Sequence, residues 1–137
     1  MRTKNLVLIP LLFSKKYVIV YLASERNKMN RPTRFYSNKQ EKKVAKAISG
    51  KQTANSGATL FSKGDVVTDK ILVECKTCVE DKKSFSIKKE WLEKNKEEAF
   101  AMNKPYSALV FNFGPNSENY YIVDEKMFLM LKEGIEL

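Results

Sequence analysis

The chain has 137 residues, a length that allows one domain with a single core and is short for two. An apolar share of 43% with 15 aromatic residues is enough to build that core, and 30% charged residues supply a solvated surface. The chain contains no histidine, which excludes Ser-His-Asp and Cys-His catalysis, histidine metal ligation and histidine pH switches. Any acid–base chemistry must come from carboxylates, lysines or metal-activated water.

The formal net charge of +9 favours an anionic partner such as nucleic acid. This charge is unevenly distributed, because residues 1–28 hold six lysines and arginines against one acidic residue, Glu25. The remaining 19 bases and 15 acids leave a net charge of +4, which is common among ordinary proteins. Net charge alone therefore does not establish nucleic-acid binding.

An apolar stretch at residues 6–21 is interrupted by Pro10 and by the pair Lys15 and Lys16. Neither half approaches the roughly 20 apolar residues that a membrane-spanning helix needs, so the stretch is not predicted to cross a bilayer. Its basic start and apolar run are typical of a signal peptide, but no small-x-small cleavage site follows. Export stays an alternative, and so does membrane association of a basic protein through this stretch.

Residues 1–28 differ in composition from the rest of the chain and end in Glu-Arg-Asn-Lys at positions 25–28. A purine-rich ribosome-binding site translated in frame would encode this tetrapeptide, and Met29 follows it directly. We expect residues 1–28 to be an N-terminal extension, with Met29 as an alternative natural start. Residues 29–137 are expected to form a single domain.

Cys75 and Cys78 are the two cysteines of the chain. Their spacing could supply half of a zinc site or a redox pair, but zinc requires four ligands and the sequence has no second cysteine or histidine pair. We expect both to be reduced thiols of a cytoplasmic protein.

The first half of the domain shows one helical and three extended patterns. Apolar residues recur at helical spacing over residues 38–49, after a capping-box pattern that starts at Ser37. Short apolar runs predict strands at residues 58–61 and 66–67, joined by a turn. Residues 71–77 are the clearest strand, because they are β-branched and apolar with charges at alternating positions.

The second half begins with a helix that Ser86 can cap and that runs to about residue 103. Trp91, Phe100 and Met102 are predicted to lie in the core and not to form a base-stacking platform. A strand at residues 108–113, a turn at 114–117 and a second strand at 120–123 follow. A short final helix at residues 125–132 closes the chain at Gly134. The order α-β-β-β-α-β-β-α predicts an α/β or α+β sheet flanked by helices.

The strand predicted at residues 71–77 is apolar but contains two charged residues, whose presence requires an explanation. The chain contains five acid-x-Lys triplets, but only Glu74-x-Lys76 lies inside an apolar strand. Alternation puts Glu74 and Lys76 on one face and directs Cys75 to the other face, toward the core. Two charges there are costly unless they pair, meet solvent or bind something.

Asp65 follows Gly64 at the start of a predicted strand and precedes Glu74 by eight intervening residues. That spacing allows a turn and an antiparallel neighbour, so the carboxylates of Asp65 and Glu74 could converge at one end of the sheet. Two close carboxylates repel each other and favour a divalent cation. The backbone carbonyl of Cys75 could offer Mg²⁺ a third oxygen.

These motifs resemble those of the PD-(D/E)xK nucleases, and specifically the small archaeal- and phage-type Holliday junction resolvases. The resemblance covers about residues 37–123 in order and in element type. The matching segments are Glu41 on the first helix, Ser56-Gly57-Ala58, Gly64-Asp65-Val66 and Val73-Glu74-Cys75-Lys76. Gly64 stands where the family name has proline, a change that we expect to be tolerated because that residue shapes the turn and binds nothing.

The resemblance implies a restriction-endonuclease-like core with a central mixed sheet, and a Mg²⁺-dependent phosphodiesterase in which Mn²⁺ can replace Mg²⁺. Asp65 and Glu74 would hold the metal with the carbonyl of Cys75, and Glu41 would hold it through a water molecule. Lys76 would orient or activate the attacking water. No small-molecule cofactor is expected.

The expected substrate is DNA, and branched DNA in particular, because a small enzyme without an added recognition domain favours selection by structure. The residues expected to contact DNA are Arg34, Lys42, Lys43, Lys46, Ser56 and Lys63. A resolvase must cut two strands symmetrically, so we expect a C2 homodimer, with residues 127–131 as a candidate interface. The expected location is the cytoplasm of a bacterial host cell, as a phage or prophage protein without membrane attachment.

Three other interpretations stay open. The fold could serve as a non-catalytic nucleic-acid-binding module that uses Arg31, Arg34 and the lysines of the first helix as phosphate contacts. It could belong to a restriction or repair nuclease of the same superfamily. In the simplest case Glu74 and Lys76 form a structural ion pair and Asp65 is a turn residue.

Overall fold

The structure, a computed structural model, describes residues 31–54 and 64–135. The described residues from Thr33 onward belong to one compact unit. The strand predicted at residues 58–61, the apolar stretch at residues 6–21 and the expected DNA contacts Ser56 and Lys63 lie outside the described residues.

The described residues form three helices and five strands in the order α-β-β-β-α-β-β-α, in which the first strand is not the one predicted at residues 58–61. The helices are α1 (Thr33–Ala47), α2 (Lys89–Ala101) and α3 (Glu125–Ile135). The strands are β1 (Lys51–Gln52), β2 (Val66–Val67), β3 (Ile71–Lys76), β4 (Tyr106–Phe111) and β5 (Tyr120–Ile122). The predicted α+β class with a mixed sheet flanked by helices is confirmed.

The strands lie in the sheet in chain order, β1-β2-β3-β4-β5. Every neighbouring pair is antiparallel except β3 and β4, which are parallel and are connected through α2. Val66 pairs with Val73 between β2 and β3, and Lys76 pairs with Phe111 between β3 and β4. This register determines which side chains share the two faces of the sheet.

Helix α1 covers one face of the sheet and closes the main core. The buried residues of this core are Val44, Val66, Val73, Ala108 and Val110. Ile71 and Cys75 pack against them, so the predicted core position of Cys75 is confirmed. The alternate residues of β3, from Leu72 to Lys76, therefore face the side on which α2 lies.

The helix boundaries differ from the predicted ones. Helix α1 begins at Thr33 and not at residue 38, so Ser37 lies inside the helix, where its Oγ donates to the carbonyl of Arg34 (3.2 Å). A serine side chain can accept from backbone N–H groups at the start of a helix or donate to a carbonyl of the preceding turn. The sequence pattern does not distinguish these two arrangements. Helix α2 begins three residues after Ser86, and α3 continues through Gly134.

The prediction that Phe100 lies in the core is wrong, because 83% of this residue is exposed. Asn95 and Ala99 take the buried face of α2 at the spacing of one helical turn, and Phe100 therefore points to solvent. Asn95 is tolerated there because its Nδ2 donates to the carbonyl of Ala108 at 2.9 Å. Trp91 and Met102 are half-buried.

Strand β1 was not predicted, since Lys51 and Gln52 are both polar and exposed. Its position comes from pairing with β2 and not from an apolar pattern. Across residues 31–54 and 64–135, none of the helices combines the length and the apolar character that a bilayer crossing requires.

We predict that Leu109→Ala lowers the free energy of unfolding by about 2–5 kcal/mol, because Leu109 is fully buried in β4 and its truncation leaves a cavity. Phe100→Ala should change this free energy by less than about 0.5 kcal/mol, although more side-chain atoms are removed. Urea unfolding of both variants measures the difference. A cost at Phe100 equal to that at Leu109 would contradict the fold described here.

Candidate functional site

The site is organised around the charged pair of β3. Glu74 and Lys76 lie on the α2 face, where Lys76 Nζ donates to Glu74 Oε1 at 2.8 Å and each side chain is only 26% exposed. Lys76 Nζ also lies 4.8 Å from the ring centroid of Trp91 on α2. The ammonium is thus held between a carboxylate and an aromatic face.

Asp65 lies beside this pair. Its backbone N–H donates to the carbonyl of Val73 at 2.9 Å, next to the Val66–Val73 pair of β2 and β3. Its Oδ2 accepts a hydrogen bond from the N–H of Cys75 at 2.7 Å. The carboxylate of Asp65 is therefore fixed against the backbone of β3 between Glu74 and Lys76.

Gly64 shapes the backbone that precedes Asp65. Its φ is +70°, and an added Cβ would lie 2.7 Å from Cδ1 of Leu72. Proline is limited to a φ near −65°, so it could not occupy this position without a change in the backbone. The departure from the family motif at residue 64 is thus a real difference in the backbone that carries Asp65.

Three carboxylates act on the thiol of Cys75. Burial raises the pKa of Cys75 most, and the negative charges of Asp65, Glu41 and Glu74 raise this pKa further, while the charge of Lys76 lowers it. The thiol is therefore protonated at neutral pH and is a poor nucleophile. Both cysteines are free, as expected.

Glu41 lies apart from Glu74 and Lys76, because α1 packs on the opposite face of the sheet. Its Oε2 accepts a hydrogen bond from Nε2 of Gln52 on β1 at 3.0 Å. Within residues 31–54 and 64–135, no three acidic or cysteine side chains gather closely enough to hold a metal ion. The structure thus pairs Glu74 with Lys76, holds the Asp65 carboxylate on the backbone N–H of Cys75 and leaves Glu41 beside β1.

Without Glu41, the expected metal ligands are all oxygens, from Asp65, Glu74 and the backbone carbonyl of Cys75. An extended residue directs its N–H and C=O to the same edge of its strand, and the N–H of Cys75 bonds Asp65, so its carbonyl lies on that edge too. Two carboxylates and one backbone carbonyl are ligands of the kind that Mg²⁺ prefers. The residues at this edge of β3 fit a hard divalent cation by their chemistry.

A groove beside the pair was not predicted from the sequence. It has a volume of about 400 Å³ and lies between β3 and α2. Its lining residues are Glu74, Lys76, Glu90, Trp91, Lys94, Asn95 and Glu98. Trp91, Asn95 and Glu98 recur at helical spacing, which places them on one side of α2. A search for apolar periodicity does not find this pattern, because Asn95 and Glu98 are polar.

The expected DNA contacts of α1 are on the surface. Arg34, Lys42, Lys43 and Lys46 are all exposed. They belong to the helix that covers the face opposite to Lys76, so the structure does not gather them around the charged pair.

Comparisons with protein-family models, with curated proteins and with solved structures found no match for this chain. The sequence and the geometry of the site are therefore the whole basis for a function.

We predict that the stability of the protein falls as the pH rises above 9. The folded-state pKa of Cys75 lies above its ordinary value of 9.0, so the thiol contributes stability below that pH, and this contribution is lost as the unfolded chain deprotonates. Between pH 8 and pH 10 the wild type should lose about 1 kcal/mol more unfolding free energy than Cys75→Ala.

Chemical denaturation at several pH values tests this difference. Val73→Ala is the matched control, since it weakens the same core without removing a titrating group and should keep the wild-type pH dependence. Parallel curves for wild type and Cys75→Ala would show that the thiol is not protected from ionisation.

Proposed function

We propose that this protein is a Mg²⁺-dependent endonuclease that hydrolyses phosphodiester bonds of DNA. The observation that carries the proposal is the Glu74–Lys76 pair at 2.8 Å inside β3, with Asp65 fixed against the same strand. A strand that buries two charges beside a third carboxylate has a stability cost that a site for a cation and a phosphate would explain. The element order and the mixed sheet are compatible with a restriction-endonuclease-like core.

The chain's own residues have separate roles in this proposal. Asp65, Glu74 and the carbonyl of Cys75 would hold Mg²⁺, with Mn²⁺ as a substitute, and the bound ion would supply Lewis-acid stabilisation of charge on the phosphate. Lys76 would donate a hydrogen bond to the attacking water and stabilise negative charge that develops on the phosphate oxygens. Trp91 would keep the ammonium of Lys76 in place through its ring face.

Branched DNA is the substrate class that we infer, in a structure-selective resolvase of phage or prophage type acting in the bacterial cytoplasm. Such an enzyme would act as a C2 homodimer to cut two strands. Exposed apolar residues of α3 support this assembly, because Phe128, Leu129, Met130 and Leu131 are all at least 42% exposed. Of residues 125–134 in this helix, Met127 alone is buried.

Non-catalytic binding of nucleic acid is the second candidate, and one observation favours it. Lys76 already has two partners, Glu74 and Trp91, and no group of three metal-binding side chains forms within the described residues. Under this alternative Arg34 and the exposed lysines of α1 contact phosphates, and the pair in β3 is structural. The two candidates differ in whether Mg²⁺ permits cleavage.

We predict that Asp65→Asn and Glu74→Gln each reduce Mg²⁺-dependent cleavage by at least about 100-fold, because each removes a carboxylate from the proposed metal site. The fold should persist, since both changes conserve shape and relieve repulsion between carboxylates. Cleavage of four-way, forked and linear duplex DNA with and without Mg²⁺ measures the loss. Glu98→Gln is the matched control in the same groove and should cut normally. Near-normal cleavage by either site variant would exclude this metal site.

We predict that Lys76→Ala lowers single-turnover cleavage by a factor of about 100 or more, with little change in DNA affinity. Lys76→Arg should restore little activity, because a planar guanidinium does not replace a compact ammonium beside a metal ion. Lys88→Ala is the matched control, since its Nζ also lies over the Trp91 ring, at 5.5 Å, and it is not part of the proposed site.

Thermal midpoints measured on the same preparations separate the two roles of Lys76. A structural lysine would lower stability by leaving Glu74 unpaired, and the folded fraction of Lys76→Ala would still cut. That result would remove Lys76 from the proposed catalytic residues, whereas the non-catalytic candidate requires that the wild type itself does not cut DNA in Mg²⁺.

A further inference from the structure

A row of side chains crosses three strands on the α2 face of the sheet. Lys76 on β3 pairs in register with Phe111 on β4, and Phe111 pairs with Tyr120 on β5. The rings of Phe111 and Tyr120 are stacked at 5.6 Å between centroids with an interplanar angle of 28°. The row leads from the lysine of the proposed site to the edge of the sheet.

Two more rings hold this row in place. Phe85 stacks on Phe111 at 4.7 Å and 18°, and Phe113 meets the ring of Tyr120 edge-on at 5.5 Å. Tyr120 nevertheless stays 46% exposed, on the last strand of the sheet. A rigid aromatic ring with an open surface is a stacking surface that needs little further ordering when a ligand binds.

The charge around the row indicates where a phosphate backbone could pass. The groove beside α2 carries three glutamates and two lysines, so a phosphate beside Lys76 requires the proposed cation and the rest of the groove disfavours phosphates. On the other side, the N–H of Lys82 donates to the carbonyl of Phe113 at 2.7 Å, and the ring of Phe113 contacts Tyr120. Lys82 and Lys83 are exposed on this segment next to Glu80 and Asp81, and the two lysines are its cations for a phosphate backbone.

The row is also short enough to follow one nucleic-acid strand. Two steps between neighbouring strands, each of about 4.8 Å, separate Tyr120 from Lys76 by about 10 Å. At about 3.4 Å or more per nucleotide, this distance corresponds to roughly one to three nucleotides.

We propose that Tyr120 is a stacking site for an unpaired nucleobase of single-stranded DNA, a few nucleotides from the phosphate beside Lys76. Phe111, Phe85 and Phe113 position the ring, and Lys82 and Lys83 contact the backbone of the same strand. The inference rests on the proposed function and deepens it, because it assigns the substrate as DNA with unpaired bases next to the cleavage point. Base–aromatic stacking tolerates every sequence, as selection by structure requires.

The test compares Tyr120→Ala with Tyr121→Ala. The two tyrosines are adjacent in β5 and similarly exposed, 46% and 43%, but alternate positions of a strand face opposite sides of the sheet. Affinity is measured in EDTA by fluorescence anisotropy for a labelled single-stranded oligonucleotide, a splayed fork and a blunt duplex of the same sequence. A 2-aminopurine in the single strand reports stacking by its quenching.

Tyr120→Ala should bind the single strand and the fork at least about tenfold more weakly than wild type and lose the quenching, while its affinity for blunt duplex is unchanged. Tyr121→Ala should behave as wild type. Tyr120→Phe should keep the binding because it keeps the ring, and Tyr120→Leu should lose it while keeping an apolar residue in the strand. Thermal midpoints confirm that each variant is folded.

Equal affinities of wild type, Tyr120→Ala and Tyr120→Leu for the fork would overturn the stacking site, whether or not the protein cuts DNA. Equal losses in Tyr120→Ala and Tyr121→Ala would also overturn it, and so would a wild type that binds no unpaired DNA. A wild type that stacks the base but cuts no DNA in Mg²⁺ would leave the stacking site standing and remove the nuclease.

Discussion

Strand β3 places Glu74 and Lys76 on a face that α2 partly covers, and this partial burial of two charges governs the structure around it. A charged side chain that is only 26% exposed requires a partner of opposite charge. Glu74 and Lys76 are partners of each other, with 2.8 Å between Oε1 and Nζ. The indole of Trp91 then packs over the ammonium, and Asp65 is fixed by the backbone N–H of Cys75. Helix α2, the end of β2 and the neighbouring position on β4 are thus all arranged around one ion pair.

The three helices and the strands β2 to β5 could be predicted because they depend on local patterns, whereas the mixed sheet was expected only from the resemblance to a family. The alternation along β3 and the apolar character of β4 decide which face each residue takes, and no distant contact changes that result. The position of Asp65 beside β3 was also predictable, since the eight residues between Asp65 and Glu74 permit an antiparallel turn. These predictions concern spacing along the chain, which the sequence contains directly.

The rest depends on contacts between distant parts of the chain. Asn95, and not Phe100, lies on the buried face of α2, where a carbonyl of β4 accepts a hydrogen bond from its Nδ2. Strand β1 exists through its pairing with β2, although both of its residues are polar. Glu41 lies within one domain with Glu74 but on a helix that packs on the other face, and periodicity along α1 alone does not reveal which face of the sheet that helix covers.

Trp91 is the only tryptophan of the chain, and it belongs to the helix that connects the two parallel strands. Parallel neighbours such as β3 and β4 meet only when a long crossover closes, which costs more chain entropy than the local β2–β3 turn. The indole lies at Lys76 only when that crossover is docked. Intrinsic fluorescence therefore reports the docking of the crossover and the surroundings of the charged pair in the same emission band.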